Sequence, residues 1–171
     1  MTWARIGTSD IPGAIAIGIG ATLTMDLWNL LLKWALGIPS LDYCLLGRWI
    51  RHLSEGTFHH SSIALAPRMA RECAIGYMAH YTIGVGLALV FVALTGNWLD
   101  RPTVLPALLY GIGTVVFPFF ILQPSLGLGI ASSKAANPRH ARVKSLMTHT
   151  VFGVGLYVWG LAVSCLLRVQ R

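Results

Sequence analysis

The sequence predicts an all-α membrane protein in which four transmembrane helices form a single domain over residues 1–171. Hydrophobic residues make up 55% of the chain and charged residues only 11%, whereas soluble domains carry roughly 25% charged residues. Four long apolar runs and an internal duplication are the other two observations behind this prediction. Together they make the lipid bilayer the expected surrounding of most side chains.

The four apolar runs are each long enough to cross a bilayer, which takes about 20 helical residues. The first and second cover 11–36 and 74–96, and the third and fourth cover 103–130 and 145–167. Pro118 and Pro124 lie inside the third run. Because proline removes a backbone donor and clashes with the preceding turn, we expect that span to be kinked.

Basic residues predict how the spans are oriented. With four spans both termini share one side, and the loops after the first and third spans lie on the other. Loops rich in Lys and Arg stay in the cytoplasm, so both termini are predicted outside. The same pattern explains the net charge of +7 without nucleic acid. The loops hold Arg48, Arg51, Arg68, Arg71, Lys134, Arg139, Arg142 and Lys144, against Arg5, Arg101, Arg168 and Arg171 opposite.

The two halves of the sequence resemble each other in order. Residues 78–87 and 147–156 share a Met-x-His motif followed by Gly-Val-Gly-Leu. The offset between matching positions falls from 92 at Leu36 to 71 at Pro67, which indicates an insertion of 21 residues at about 41–65. Repeat A therefore covers 11–96 and repeat B 103–167. Each repeat holds two spans, so the sequence predicts a 2+2 duplication of helix pairs that run in parallel.

The insertion predicts a short amphipathic helix in the first cytoplasmic loop. It places Arg48 and Arg51 beside Leu45, Leu46 and Trp49, a mixture typical of helices that lie on a membrane surface. Four further side chains form a possible loop site, but their spacing matches no zinc pattern and we expect no metal. They are His52, Glu55, His59 and His60.

Polar side chains inside the spans are the candidate functional residues, because they are costly in the bilayer. Asp26, His80 and His149 lie seven, nine and five residues from the nearest basic residue on the loop side. At 1.5 Å per residue, all three fall in the cytoplasmic leaflet. Asn29 and Gln123 belong to the same layer, so every span contributes to this predicted intramembrane polar site.

Small residues flank both histidines, so something is expected to approach the helices closely there. Three accounts are open: a packed neighbouring helix, a haem ligated by His80 and His149, or a proton or cation relay in which Asp26 pairs with a histidine. The predicted helix-packing residues are Gly18, Gly20, Gly76, Gly84, Gly86, Gly111, Gly113, Gly153 and Gly155.

Familiar catalytic patterns are missing from the sequence. It contains no phosphate-binding loop, no Ser-His-Asp arrangement, no zinc-hydrolase spacing and no dinucleotide fingerprint, so an enzyme of the soluble type is not expected. Cys44, Cys73 and Cys165 show no metal-type spacing. Their odd number leaves at least one unpaired, and we expect buried or loop thiols.

Several stretches of the sequence resemble one bacterial membrane protein family. They are residues 47–49 and 56–61, the segment from Pro118 to Pro124, residues 127–132, and His149 with Phe152-Gly153. The family is catalogued as domain of unknown function family 2938, and the resemblance covers nearly the whole chain. It implies a small multi-pass protein of the bacterial inner membrane and lends no activity, substrate or cofactor.

The costly Asp26, at the same depth as two histidines, favours permeation or transport of a proton, an ion or a small solute. Four spans leave little room for a pathway in one chain, so we expect a homo-oligomer in the lipid bilayer. One alternative is a structural or accessory subunit whose polar residues only specify packing. The other is a redox protein with haem between His80 and His149; otherwise no cofactor is expected.

Overall fold

Helices account for all regular structure in the described part of the chain, which in this computed structural model is residues 10–39 and 41–169. Four stretches are long and apolar enough to cross a membrane, which confirms the all-α membrane fold. Arg5 and Arg171, used above for the orientation, lie outside the described residues. The α-helices are α1 (Asp10–Leu36), α2 (Tyr43–Leu53), α3 (Glu72–Thr95), α4 (Val104–Gly113), α5 (Gln123–Ser125) and α6 (Pro138–Val169).

The fourth span begins seven residues before the predicted start at 145, because its N-terminus is well capped. Asn137 accepts a hydrogen bond from the backbone nitrogen of His140 through its side chain, at 3.1 Å. Pro138 then suits the first helical position, where a missing N–H has no cost. Arg142 and Lys144 consequently belong to α6 and not to a loop.

The third span is interrupted, as its prolines predict. The α4 helix ends at Gly113, a turn follows, and a π-helical segment runs over Pro118–Leu122 before α5. Proline lacks the N–H that a regular helix would use here. The span ends at Ser125, five residues before the predicted 130, because Gly127 and Gly129 adopt φ angles of 91° and 72° that turn the chain.

The four spans pack in the order α3, α1, α6, α4. The α6 helix contacts both α1 and α4, and α1 contacts α3. The α3 and α4 helices make few contacts, one of which is a hydrogen bond of 2.8 Å from the Tyr110 hydroxyl to the Leu87 carbonyl oxygen. A two-fold axis relating the predicted repeats would make the contact of α3 with the third span equivalent to that of α1 with α6. The described packing is therefore asymmetric, with an open seam between α3 and the third span.

Close helix contacts use many of the predicted small residues. A Cβ atom on Gly18 would lie 2.6 Å from the Cα of Val85, and one on Gly155 would lie 2.7 Å from the Cα of Ala21. Large side chains could not fit at such crossings. Gly20, Gly76, Gly84, Gly111 and Gly153 also meet neighbouring segments, whereas Gly86 and Gly113 face open space.

The short helix α2 is fastened to the start of α3. Arg48 donates two hydrogen bonds of 2.8 Å to the carboxylate of Glu72 and a third, of 3.1 Å, to the carbonyl oxygen of Ile63. A disulfide also joins Cys44 to Cys73. The expectation of thiols is therefore wrong for these two cysteines, while Cys165 is free and exposed.

This attachment buries part of the charged side of α2. Arg48 belongs to the helix predicted for the membrane surface, yet only 6% of its surface is exposed, and only 7% of that of His52. Burial of a guanidinium is tolerable here because a carboxylate and backbone carbonyls satisfy its donors. The helix predicted in the insertion is present, and α3, together with the loop that follows α2, covers part of its polar side.

Replacing Gly76 by alanine tests the contact between α2 and α3. The new Cβ would overlap the carbonyl oxygen of Tyr43, a backbone atom that moves only if α2 moves. We expect Gly76→Ala to lower the free energy of unfolding by about 1–3 kcal/mol, as overpacking usually does, and to lower the melting temperature in detergent.

Gly86→Ala is the matched control, because Gly86 lies in the same helix and faces open space. Alanine has the higher helix propensity, so the melting temperature should stay the same or rise. Equal losses in the two variants would contradict the described packing.

Candidate functional site

The carboxylate of Asp26 is the centre of a polar cluster inside the first span. Tyr43 donates its hydroxyl to Oδ1 at 2.8 Å, and Tyr81 donates its hydroxyl to Oδ2 at 3.1 Å. The Nε2 atom of His80 lies 3.0 Å from Oδ1. A carboxylate within a bilayer needs such donors because no bulk water replaces them. The Asp26 side chain keeps 23% of its surface exposed, so the cluster is not sealed.

Three helices bring these groups together. Asp26 lies on α1, and α3 packs against α1 and supplies His80 and Tyr81 as consecutive residues. Tyr43 is the first residue of α2, which begins after Asp42 accepts a hydrogen bond of 2.9 Å from the backbone nitrogen of Cys44. The position of Tyr43 therefore depends on how α2 is fastened to α3.

Tyr43 also fixes the orientation of the His80 ring. The two rings are stacked, with centroids 4.0 Å apart and planes inclined by 22°. Burial, together with the nearby Asp26 carboxylate, raises the pKa of Tyr43 above its usual range. Its hydroxyl thus remains protonated and continues to donate to Asp26.

The second predicted histidine has a different partner. The Nδ1 atom of His149 lies 2.7 Å from the hydroxyl oxygen of Thr114, at the turn that interrupts the third span. That hydroxyl also donates to the carbonyl oxygen of Gly111. Since it has only one hydrogen, His149 must then donate from Nδ1, which leaves Nε2 as an acceptor. The two histidines are therefore not equivalent.

The other two predicted polar residues bond to α6. Asn29 accepts a hydrogen bond of 3.3 Å from the hydroxyl of Thr148. Gln123 donates one of 3.2 Å from Nε2 to the hydroxyl oxygen of Ser145. Its other amide atom, Oε1, is buried and has no hydrogen-bond partner in the part of the chain that the structure describes.

A cavity of about 670 Å³ connects most of these groups. Its polar lining includes four of the five predicted residues, while Asp26 lies behind His80. Ile83 and Leu87 of α3 line it together with Phe117 and Ile121 of the third span, and most of the wall is apolar. The cavity lies at the seam where α3 and α4 make few contacts. The polar lining residues include Asn29, His80, Gln123, Lys144 and His149, together with the hydroxyl-bearing Thr22, Tyr43, Thr114, Ser132, Ser145 and Thr148.

The predicted loop residues only partly come together. His52 contacts Glu55 at 3.4 Å through Nδ1 and the Pro67 carbonyl oxygen at 3.2 Å through Nε2. Its ring lies 5.0 Å from that of His60, whereas His59 is exposed. Burial lowers the pKa of His60 below its usual range. Within the described residues, no group of three His, Cys, Asp or Glu side chains is placed to hold a metal ion.

Sequence reasoning missed both tyrosines that donate to Asp26. A signal existed for Tyr81, because Tyr77, His80 and Tyr81 are spaced to share one face of a helix. No local signal existed for Tyr43, which reaches Asp26 only because α2 folds back against α3. Thr114 was missed because its importance comes from the turn that it occupies.

These features define a multi-pass, all-helical membrane protein with a hydrogen-bonded polar cluster between its spans. A family model described as "Protein of unknown function (DUF2938)" matches residues 15–163. The chain therefore belongs to this family, in agreement with the resemblance of its motifs. No curated protein and no solved structure matches the chain. A function must consequently be argued from the site itself.

Proposed function

We propose that this protein transports a small solute across the membrane and that the Asp26–His80 pair carries a proton during transport. The observation that supports this proposal is the pair itself: a carboxylate and an imidazole, 3.0 Å apart, within membrane-spanning helices. Ionisable groups at such depth are rare, and proton relays in membrane proteins are built from Asp, Glu and His.

Packing alone gives no reason for a carboxylate at this position. The α1 helix already meets its neighbours closely at Gly18 and Ala21, where only small apolar groups are involved. Replacing ion pairs by apolar residues often leaves stability unchanged or raises it. The partial exposure of Asp26 supports a role in which a proton reaches and leaves the pair.

The cavity supplies a place for the solute. His80 contributes to the cavity wall and also contacts Asp26, which is not one of the lining residues. Loss of the shared proton leaves a net negative charge beside a largely apolar space, which is unfavourable. A solute that changes the polarity of this space therefore changes the proton affinity of the Asp26–His80 pair. Protonation of the pair changes the solute affinity of the cavity by the same factor.

Neither alternative gains support from a specific contact. Axial ligation of haem by both histidines would require His80 to give up its bond to Asp26 and its stacking on Tyr43. A purely structural subunit would not need the large cavity beside the pair. The flux experiment below separates the accessory alternative from transport.

The proposal also covers the location of the protein, its internal repeat and its assembly. We place the protein in the bacterial inner membrane, built from a 2+2 duplication and assembled as a homo-oligomer. The α2 helix would lie near the inner leaflet. Leu27, Leu30 and Trp34 of α1 are strongly exposed and offer an apolar face to lipid or to a second copy.

Replacing Asp26 by asparagine tests the proton pathway. Asparagine still accepts hydrogen bonds but does not ionise at physiological pH, so proton flux should fall roughly tenfold or more. The measurement uses purified protein in vesicles loaded with a pH-sensitive dye and driven by a potassium diffusion potential. Gel filtration checks that the assembly is unchanged.

Asp42→Asn is the matched control, since it removes one carboxylate yet keeps the N-cap of α2. Its flux should equal that of the unaltered protein. Proton flux no greater than in empty vesicles would contradict a proton pathway through the pair, and equal flux in the Asp26→Asn variant would contradict a role of Asp26 in it; either result favours the accessory alternative.

Orientation is the other part of the proposal that needs a direct test. The basic loops favour a cytoplasmic position for Cys44 and Cys73, a compartment in which thiols are kept reduced. We give the charges precedence for the orientation, although the Cys44–Cys73 disulfide favours the opposite one. Alkaline phosphatase, which is active only outside the inner membrane, should be active when fused after Arg101 and inactive after Lys134. The reverse result would place the disulfide outside and overturn the orientation.

A further inference from the structure

The cavity between α3 and the third span has the size of a ligand site. Its volume of about 670 Å³ lies within the usual range of roughly 300–1,000 Å³ for small-molecule pockets. Most of its wall is apolar, which is unsuitable for a hydrated ion. An occupant with a substantial apolar part would match the wall.

One residue that lines this cavity has a buried polar atom without a hydrogen-bond partner among the described residues. Gln123 is only 8% exposed and lines the cavity. Its Nε2 atom is bound to Ser145, and its Oε1 atom has no partner among the described residues. A buried carbonyl oxygen that lacks a hydrogen bond is costly, so a donor on the occupant would stabilise the complex.

A hydroxyl group fits this position particularly well. The oxygen and nitrogen of a side-chain amide are assigned from their partners, so the unpaired atom of Gln123 is an acceptor in one assignment and a donor in the other. A hydroxyl both donates and accepts, and it satisfies either.

Few charged side chains line the cavity. Among the described residues that line it, none is a carboxylate. Lys144 is the one Lys or Arg side chain among them, and its ammonium group donates to the carbonyl oxygen of Pro39. The remaining polar groups are the two histidines, amides and hydroxyls, which suit a neutral head.

The open seam gives this molecule a route from the bilayer. The α3 helix and the third span make few contacts besides the hydrogen bond of Tyr110 to Leu87, and the π-helical segment Pro118–Leu122 contributes to the cavity wall. Departures from regular helix within a membrane are tolerated where they line a cavity. A solute dissolved in the lipid could therefore enter sideways.

We propose that the cavity binds a neutral amphipathic alcohol, with its hydroxyl group on Gln123 and its hydrocarbon part between α3 and the third span. The alcohol would be the solute of the proposed function. Only its transport across the membrane rests on that function. Binding itself is tested without transport.

Photolabelling of the full chain in lipid vesicles tests the inference. The probes are a straight-chain alcohol with a mid-chain diazirine and the corresponding alkane, which lacks only the hydroxyl. Mapped by peptide mass spectrometry, the alcohol should label cavity-lining segments more strongly than the alkane. Gln123→Leu should reduce alcohol labelling there about three- to tenfold, as expected for one lost hydrogen bond.

Two controls keep the result specific. Ser125→Ala removes a hydroxyl from the same segment, one that donates to the carbonyl oxygen of Ile121, and should leave labelling unchanged. Undiminished alkane labelling of the Gln123→Leu variant shows that its cavity is intact. Competition with unlabelled alcohol or with diacylglycerol tells a free alcohol from a hydroxyl-bearing lipid, and displacement by either supports the inference.

Equal labelling of the unaltered cavity by alcohol and alkane would overturn the inference, as would unchanged alcohol labelling in Gln123→Leu. Such a failure leaves proton flux through the Asp26–His80 pair unaffected. Conversely, specific labelling without proton flux would preserve the binding site and remove the proposed transport.

Discussion

A carboxylate placed inside a membrane helix must obtain hydrogen-bond donors from other helices, and Asp26 imposes this requirement on the structure around it. Its donors come from α2 and α3, so both helices have to lie beside α1 at one depth. The small residues at the α1–α3 crossing permit that approach. The polar cluster and the apolar packing thus require the same helix arrangement, which is the consistency expected of a sequence that specifies one fold.

The surroundings of Asp26 also depend on residues outside the spans, because α2 is bound to α3. The hydrogen bonds between Arg48 and Glu72 hold α2 against α3, and this contact places the Tyr43 ring in a stack with the His80 ring. The same attachment has no counterpart in the described residues of the second half, where His149 bonds to Thr114 instead. The two halves of the chain therefore differ in structure despite their similar motifs. The first half surrounds the Asp26 carboxylate, and the second half contributes an interrupted span to the cavity wall.

The sequence was sufficient for the number of long apolar helices, because such runs are unambiguous, and for the common level of Asp26 and His80 along their helices, because helical rise is constant. It could not reveal Tyr43 or the Cys44–Cys73 disulfide, since these depend on α2 folding back across the chain. The start of α6 was misplaced because basic residues resemble a loop although Asn137 and Pro138 begin a helix. Neither could the cavity be predicted, because it results from the weak contact between α3 and α4.

The central claim is that Asp26 and His80 form a pair within the membrane. Solid-state NMR of the protein in lipid, with nitrogen-15 in its six histidines, measures this directly. The His80 signal is identified by its loss in His80→Ala. The account predicts that Asp26→Asn shifts this signal and leaves those of the loop histidines unchanged, because the carboxylate no longer faces Nε2. A His80 signal identical in the unaltered protein and in Asp26→Asn would contradict the pair.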